Sequence, residues 1–221
     1  MHTELLRRVP LFEGLDDGEL GAFSQVALLR KFPRERVVIM AEDEGDTLFV
    51  IHSGQVKVSI VSEDGREVIL SILVEGDFFG EMSLVDGNPR SANVTTMQDT
   101  ELLMIRRADF LHLIQKTPQI AIKLLAVLAG RLRKTDRKIE GLALSDVTGR
   151  ITQTLLQLAE EQGKPTGDGI LIPNRPTHQE LANMSGTTRE TVSRILKRLE
   201  NQGYICHRGK DLLVVGVDEM S

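Results

Sequence analysis

Four glycines, Gly45, Gly54, Gly65 and Gly76, stand 9, 11 and 11 residues apart, with short aliphatic runs between and around them. The runs are VVIM (37–40), TLFVIH (47–52), QVKVSIV (55–61), EVILSIL (67–73), SANVTT (91–96) and ELLMI (101–105). Turn signals at a spacing of about 8–12 residues leave room for strands but not for helices of ordinary length. The segment from Lys31 to about Arg106 is therefore predicted to be an antiparallel sandwich or roll. Val56, Val58 and Ile60 alternate with Lys57, Ser59 and Val61, the pattern of a half-buried strand. Residues 1–30 read as short helices on Leu5, Leu6, Val9, Phe12, Leu15, Leu20 and Phe23, broken by Pro10 and Gly14.

At Arg107 the period becomes helical. After Pro118 one long helix is predicted, roughly Gln119 to Leu144, with the seam Ala121, Leu125, Leu128, Leu132, Thr135, Ile139 and Leu142. Spacings alternating between 4 and 3 make a heptad pattern, which points to a two-stranded seam and hence a homodimer through 119–144. A helix packed only on its own domain shows a wider apolar stripe. Ser145 and Asp146 read as a break and N-cap, with a new helix through about Glu161. GKPTGDG (163–169) reads as a loop. The resulting domains are 1–118, a linking helix at 119–145, and 146–221.

The third segment holds a second signal. Thr177 with Glu180 makes a capping box for the helix HQELANMSG. Counting His178 as one, Ala182, Gly186 and Val192 fall at positions five, nine and fifteen. These are the small residue at a helix crossing, the turn glycine and the apolar lock of a helix-turn-helix. Arg189, Glu190 and Arg194 lie near the start of the second helix, where Arg can pair with guanine and Glu with cytosine in a major groove. Between 187 and 210 six basic residues, Lys197 among them, face two acidic ones, so the local field suits DNA although the chain carries a net charge of −5. YICH and LLVVG around RGKD (208–211) predict a β-hairpin wing whose tip can reach phosphates. The single cysteine, Cys206, is expected to be packed in that wing.

GEMSLVDGNPRSA (80–92) gathers a carboxylate (Glu81), a guanidinium (Arg90) and a hydroxyl (Ser91) around one compact turn. Arg90 can fork onto phosphate oxygens, Ser91 can donate to them, and Glu81 can accept from a ribose hydroxyl. The plain alternative is a surface hairpin with a chance ion pair. One cysteine excludes an internal disulfide and argues against an iron–sulfur or cysteine-based metal site, and five scattered histidines lack ligand spacing. No nucleotide-binding loop of the Walker type, no nucleophile elbow and no catalytic cluster is found, so no enzyme and no cofactor are expected. The N-terminus shows no secretory signal, no apolar run nears the ~18 residues of a membrane span, and a reducing cytoplasm fits the cysteine usage.

Taken with DVTGRITQTLL (146–156) and TRETVSRILKRLENQG (188–203), the 80–92 stretch identifies the chain as resembling the cyclic-AMP receptor protein (catabolite activator) family of bacterial transcription regulators. The resemblance runs from about Phe12 to Gly216. It implies an α+β fold: an N-terminal antiparallel β-roll binding a cyclic nucleotide, a long dimerisation helix, and a C-terminal winged helix-turn-helix. It implies that Glu81 binds the ribose 2′-hydroxyl, Arg90 and Ser91 the cyclic phosphate, and Gly80 and Met82 supply backbone contacts. Arg131 would lie near the ribose and Thr135 at the adenine edge across the dimer seam. Arg189, Glu190 and Arg194 match base-contacting positions, Thr188 a phosphate contact, and the operator is a palindrome of TGTGA-like half-sites. RNA polymerase is the implied further partner. One residue departs from the pattern: Asp136 stands where the archetype has a serine that reaches the partner's adenine. An ionised Asp accepts but cannot donate, so it also suits guanine N1–H and N2–H₂. cAMP is expected, with cGMP or cyclic di-GMP as the alternatives. A DNA binder that ignores nucleotide is the rival class.

Overall fold

The structure is a computed structural model and describes residues 3–7 and 9–215. The outer ends of the first and last predicted domains, 1–2 and 216–221, together with residue 8, lie outside them. The chain divides into two compact units, Met1–Arg133 and Lys134–Ser221.

In the first unit a short helix α1 (Thr3–Leu6), a 3₁₀ turn (Pro10–Phe12) and α2 (Asp17–Val26) precede the strands. Asp16 caps α2 through a reciprocal bond pair with Glu19. The strands are β1 (Leu28–Phe32), β2 (Val37–Ile39), β3 (Thr47–Ser53), β4 (Gln55–Val61), β5 (Glu67–Val74), β6 (Phe78–Phe79), β7 (Asn93–Thr96) and β8 (Thr100–Arg106). They form two antiparallel sheets, ordered β1-β8-β3-β6 and β2-β7-β4-β5, the predicted roll. Between β6 and β7 lies α3 (Glu81–Asp86), and after β8 come α4 (Arg107–Lys116) and α5 (Gln119–Leu144). One core joins Phe12, Phe23, Leu48, Leu103 and Phe110 to Ile120 and Leu124 at the start of α5. A second, inside the roll, joins Ile39, Phe49, Ile51, Val56, Phe79 and Leu102, with Phe49 and Phe79 stacked at 5.0 Å.

Several expectations are corrected. Leu28–Phe32, partly assigned to the leading helices, is a strand paired with β8. The alternation along β4 does not run through: the register shifts between Val58 and Ser59, so Ser59 is buried while Ile60 is exposed. A bulge moves every later side chain to the other face. The 80–92 stretch is not simply a turn among strands, since it contains α3.

The second unit holds the end of α5, then α6 (Val147–Gln162), β9 (Lys164–Thr166), β10 (Gly169–Ile172), α7 (His178–Ser185), α8 (Arg189–Asn201), β11 (Ile205–Arg208) and β12 (Asp211–Val215). Asp146 caps α6, its Oδ1 accepting from the Gly149 N–H at 2.7 Å. The strands order as β11-β12-β10-β9. Segment 163–169, predicted as a loop, is thus largely strand. Its proline sits on edge strand β9, where a missing N–H costs no ladder bond. Cys206 is exposed rather than packed, because its neighbour Ile205 takes the buried side of β11.

Candidate ligand and DNA sites

Gly80 opens α3 with φ 83°, a left-handed conformation that a side chain would strain. The turn it makes leaves its carbonyl facing the Arg90 guanidinium. Arg90 is 6% exposed; its Nη1 donates to Gly80 O at 2.7 Å and its Nη2 to Thr47 O at 2.8 Å. Its own backbone is pinned to the 42–43 turn, N–H to Asp43 O and O to Glu42 N–H. Gly45 makes room for the guanidinium, for a Cβ there would stand 2.1 Å from Arg90 Nε. Burial pulls the Arg90 pKa below the usual arginine range, while Asp46 and Glu81 oppose the shift. With two of its five N–H groups committed, three remain for an anion.

Glu81 is 2% exposed and accepts from Arg131 Nη1 at 2.7 Å. Arg131 also donates to Phe78 O at 2.5 Å and lies over the Phe78 ring at 4.8 Å. The first unit therefore brings Gly80, Glu81, Arg90 and Arg131 together. Ser91 and Met82 are exposed at the same turn, with Ser91 Oγ 3.8 Å from Met82 Sδ. Thr135 and Asp136 are exposed residues of α5 belonging to the second unit. Sequence reasoning missed Gly45 and Thr47, which shape the Arg90 cradle, and Arg107, whose Nε donates to Leu84 O near the end of α3. In the sequence Gly45 reads only as a turn residue.

In the second unit the Thr177 hydroxyl accepts from the Glu180 N–H at 3.2 Å, and Glu180 Oε2 accepts from the Thr177 N–H at 2.7 Å, so the capping box forms. Gly186 ends α7 with φ 61°, and Thr188 caps α8. Ala182, Val192, Ile195 and Leu199 are buried, whereas Arg189, Glu190, Arg194 and Lys197 are exposed. Arg150, which the sequence did not single out, ties the end of α5 to the helix-turn-helix. Its Nη1 donates to Ser145 O at 3.1 Å and its Nε to Ser185 O at 3.0 Å. In the wing, Arg208 pairs with Asp168 at 2.8 Å.

A roll with a buried guanidinium and carboxylate at one turn, in the same chain as a winged helix-turn-helix, defines a ligand-responsive DNA-binding regulator. A cyclic nucleotide-binding domain model matches residues 29–117 and a Crp-like helix-turn-helix domain model matches 149–220. The chain is 43% identical over 192 residues to the cAMP-activated global transcriptional regulator CRP of Pasteurella multocida, covering 85% of this chain and 90% of that one. It is 35% identical over 211 residues to the CRP-like cAMP-activated global transcriptional regulator of Mycobacterium tuberculosis, covering 96% and 94%. The structure of the c-di-GMP responsive global regulator CLP of Xanthomonas campestris matches with a TM-score of 0.76 at 32% identity, over 91% of this chain and 100% of that one. The chain belongs to the CRP family of transcription regulators, which are DNA-binding proteins with a cyclic nucleotide-binding domain and not enzymes. Among the described residues no helix is long and apolar enough to cross a membrane.

Proposed function

We propose that this chain is a homodimeric, cytoplasmic transcription regulator that cAMP switches into its DNA-binding form at palindromic TGTGA-like sites. The observation that carries the reading is the buried Arg90 beside Glu81, with three guanidinium N–H groups left for a cyclic phosphate. Glu81 and Arg131 would take the ribose, Ser91 the phosphate, Gly80 and Met82 backbone contacts, and Thr135 with Asp136 the base. The names of the relatives from Pasteurella and Mycobacterium support cAMP as the effector. The exposed stripe Leu125, Leu132, Ile139 and Leu142 on α5 supports a dimer seam. Two α8 helices would enter successive major grooves about 34 Å apart, with Arg189, Glu190, Arg194 and Lys197 toward DNA and Thr188 at a phosphate. RNA polymerase is the expected partner once the dimer is on DNA.

The nucleotide can act only by binding the DNA-competent state better than the other, and such couplings run to about 1–3 kcal/mol. The test is calorimetry with cAMP, cGMP and cyclic di-GMP, followed by duplex binding with and without the nucleotide that binds. cAMP is expected to bind tightest and to raise operator affinity roughly 5–150-fold. A second reading, cyclic di-GMP, is favoured by Asp136 and by the stated response of the Xanthomonas protein; tighter binding of that dinucleotide would establish it. Equal operator affinity with and without every nucleotide would leave only the ligand-independent binder.

Arg189→Ala is expected to cost roughly 1–3 kcal/mol on the operator and to relax preference at one guanine of each half-site. Competition with single-base operator variants reads this directly. An equal loss on every sequence would instead make Arg189 a phosphate contact.

A further inference from the structure

In α3, Glu81, Ser83 and Leu84 are buried, whereas Met82 is 50% exposed. Methionine in a protein interior is a flexible gap-filler, but packing does not account for a side chain that is half in water. Met82 has a polar neighbour instead. Its Sδ lies 3.8 Å from the hydroxyl of Ser91, which donates to it across the turn. Ser91 is itself exposed, so both groups are open to small molecules from solvent. A thioether is a weak acceptor, and a hydroxyl resting on it is readily drawn away by a phosphate oxygen, whose bond is charge-assisted. A sulfoxide differs, because it places a strongly dipolar oxygen on the same sulfur. That oxygen comes within ordinary hydrogen-bond range of Ser91 Oγ, since the sulfur already lies at 3.8 Å.

We propose that Met82 is an oxidation site at which a hydroperoxide weakens nucleotide binding by capturing the hydroxyl of Ser91. The inference rests on the reading that Ser91 donates to the cyclic phosphate. A lone pair of Met82 Sδ attacks one oxygen of the peroxide, so the S–O bond forms as the O–O bond breaks. Sulfur is oxidised by two electrons and the peroxide is reduced. The sulfur-bound hydroxyl then gives its proton to the departing hydroxide, and with hydrogen peroxide the products are the sulfoxide and water. The backbone of Met82 is untouched, so its contacts stay available and only the competition for Ser91 changes. Ser91 must leave the sulfoxide before it can reach the phosphate. Giving up one ordinary hydrogen bond first is expected to weaken nucleotide binding about five-fold. Methionine sulfoxide is reduced enzymatically, so the loss is reversible.

The experiment is calorimetry of the full chain before and after hydrogen peroxide, using whichever of cAMP, cGMP and cyclic di-GMP the untreated protein binds most tightly. Peptide mass spectrometry measures the sulfoxide at each methionine. Dithiothreitol follows the peroxide and returns the exposed Cys206 from any sulfenic acid to the thiol. Each protein is compared with its own untreated sample. Wild type is expected to lose affinity about five-fold in step with sulfoxide at Met82, and to regain it with reductases for the two sulfoxide epimers. Treatment is expected to leave Met82→Leu where it was. The same holds for Ser91→Ala, which lacks the hydroxyl that the sulfoxide captures. Met40→Leu removes a methionine that is 58% exposed just after β2, and it is expected to respond as wild type does. Unchanged wild-type affinity with Met82 oxidised overturns the proposal. So does a Met82 that stays reduced while Met40 is oxidised, or a Ser91→Ala protein that loses as much as wild type. Untreated protein that binds none of the three nucleotides sinks the ligand reading and this proposal with it, whereas binding that oxidation leaves alone sinks this proposal only.

Discussion

Replacing Arg90 by leucine is expected to weaken cyclic-nucleotide binding at least about 100-fold and to destabilise the roll in the same step. Removing one partner of a buried, hydrogen-bonded charge pair costs about 2–5 kcal/mol in binding, and 100-fold is about 2.7 kcal/mol. The stability loss has a separate origin. Gly80 O and Thr47 O both accept from this guanidinium, and both would be left without their partner at about 1–3 kcal/mol each. Arg90→Lys keeps the charge but not the fork, so it is expected to fall between leucine and wild type on both scales. Ser91→Ala separates the two effects: Ser91 is exposed, and its contact is with Met82 Sδ, so binding should weaken with no change in melting temperature. Calorimetry and thermal denaturation on the same preparations check this. Undiminished cAMP affinity in folded Arg90→Leu protein would remove Arg90 from the phosphate site.

That double role marks where sequence stops being legible. Because Ser62, Asp64 and Arg66 gather the same three groups in an exposed turn, the residue types at 80–92 suggest the chemistry only beside the other motifs of the chain. The same letters cannot say that Arg90 also holds Thr47, which is 43 residues earlier and joined to it only by tertiary folding. They hide α3 as well. A helix of six residues shows no period, and it stands here on packing and on the left-handed glycines at both ends rather than on propensity. Strands with a glycine at each turn were readable; β6, two residues long, and the bulge in β4 were not, since neither changes composition. The winged helix-turn-helix was the most legible part. Its capping box, crossing alanine, turn glycine and apolar lock are local features that fix local geometry. Where composition misled, as at 163–169, the cause was edge position: proline reads as loop, yet Pro165 sits on edge strand β9, which tolerates it.

The exposed stripe on α5, which we propose as a dimer seam, carries the other large expectation. Leu125, Leu132 and Ile139 recur every seven residues and are 65%, 63% and 59% exposed, whereas Ile120 and Leu124 at the start of the same helix are buried in the roll. A helix that needed only its own unit would not repeat large aliphatic side chains toward solvent at coiled-coil spacing. Leu132→Asp combined with Ile139→Asp is expected to convert a dimer to a monomer. Four buried aliphatic side chains are lost per dimer, at about 1.5 kcal/mol or more each, or about 6 kcal/mol in all. That weakens association by about four orders of magnitude before the cost of placing carboxylates in the seam is added. Because both side chains point to solvent in the single chain, the melting of the isolated protomer should change little. Sedimentation velocity at micromolar protein reads the mass, and anisotropy on a palindrome against a single half-site reads the consequence. The variant should bind the palindrome no better than the half-site, since one protomer presents one α8. A variant that still sediments as a dimer would mean that the two copies associate through a surface other than this stripe.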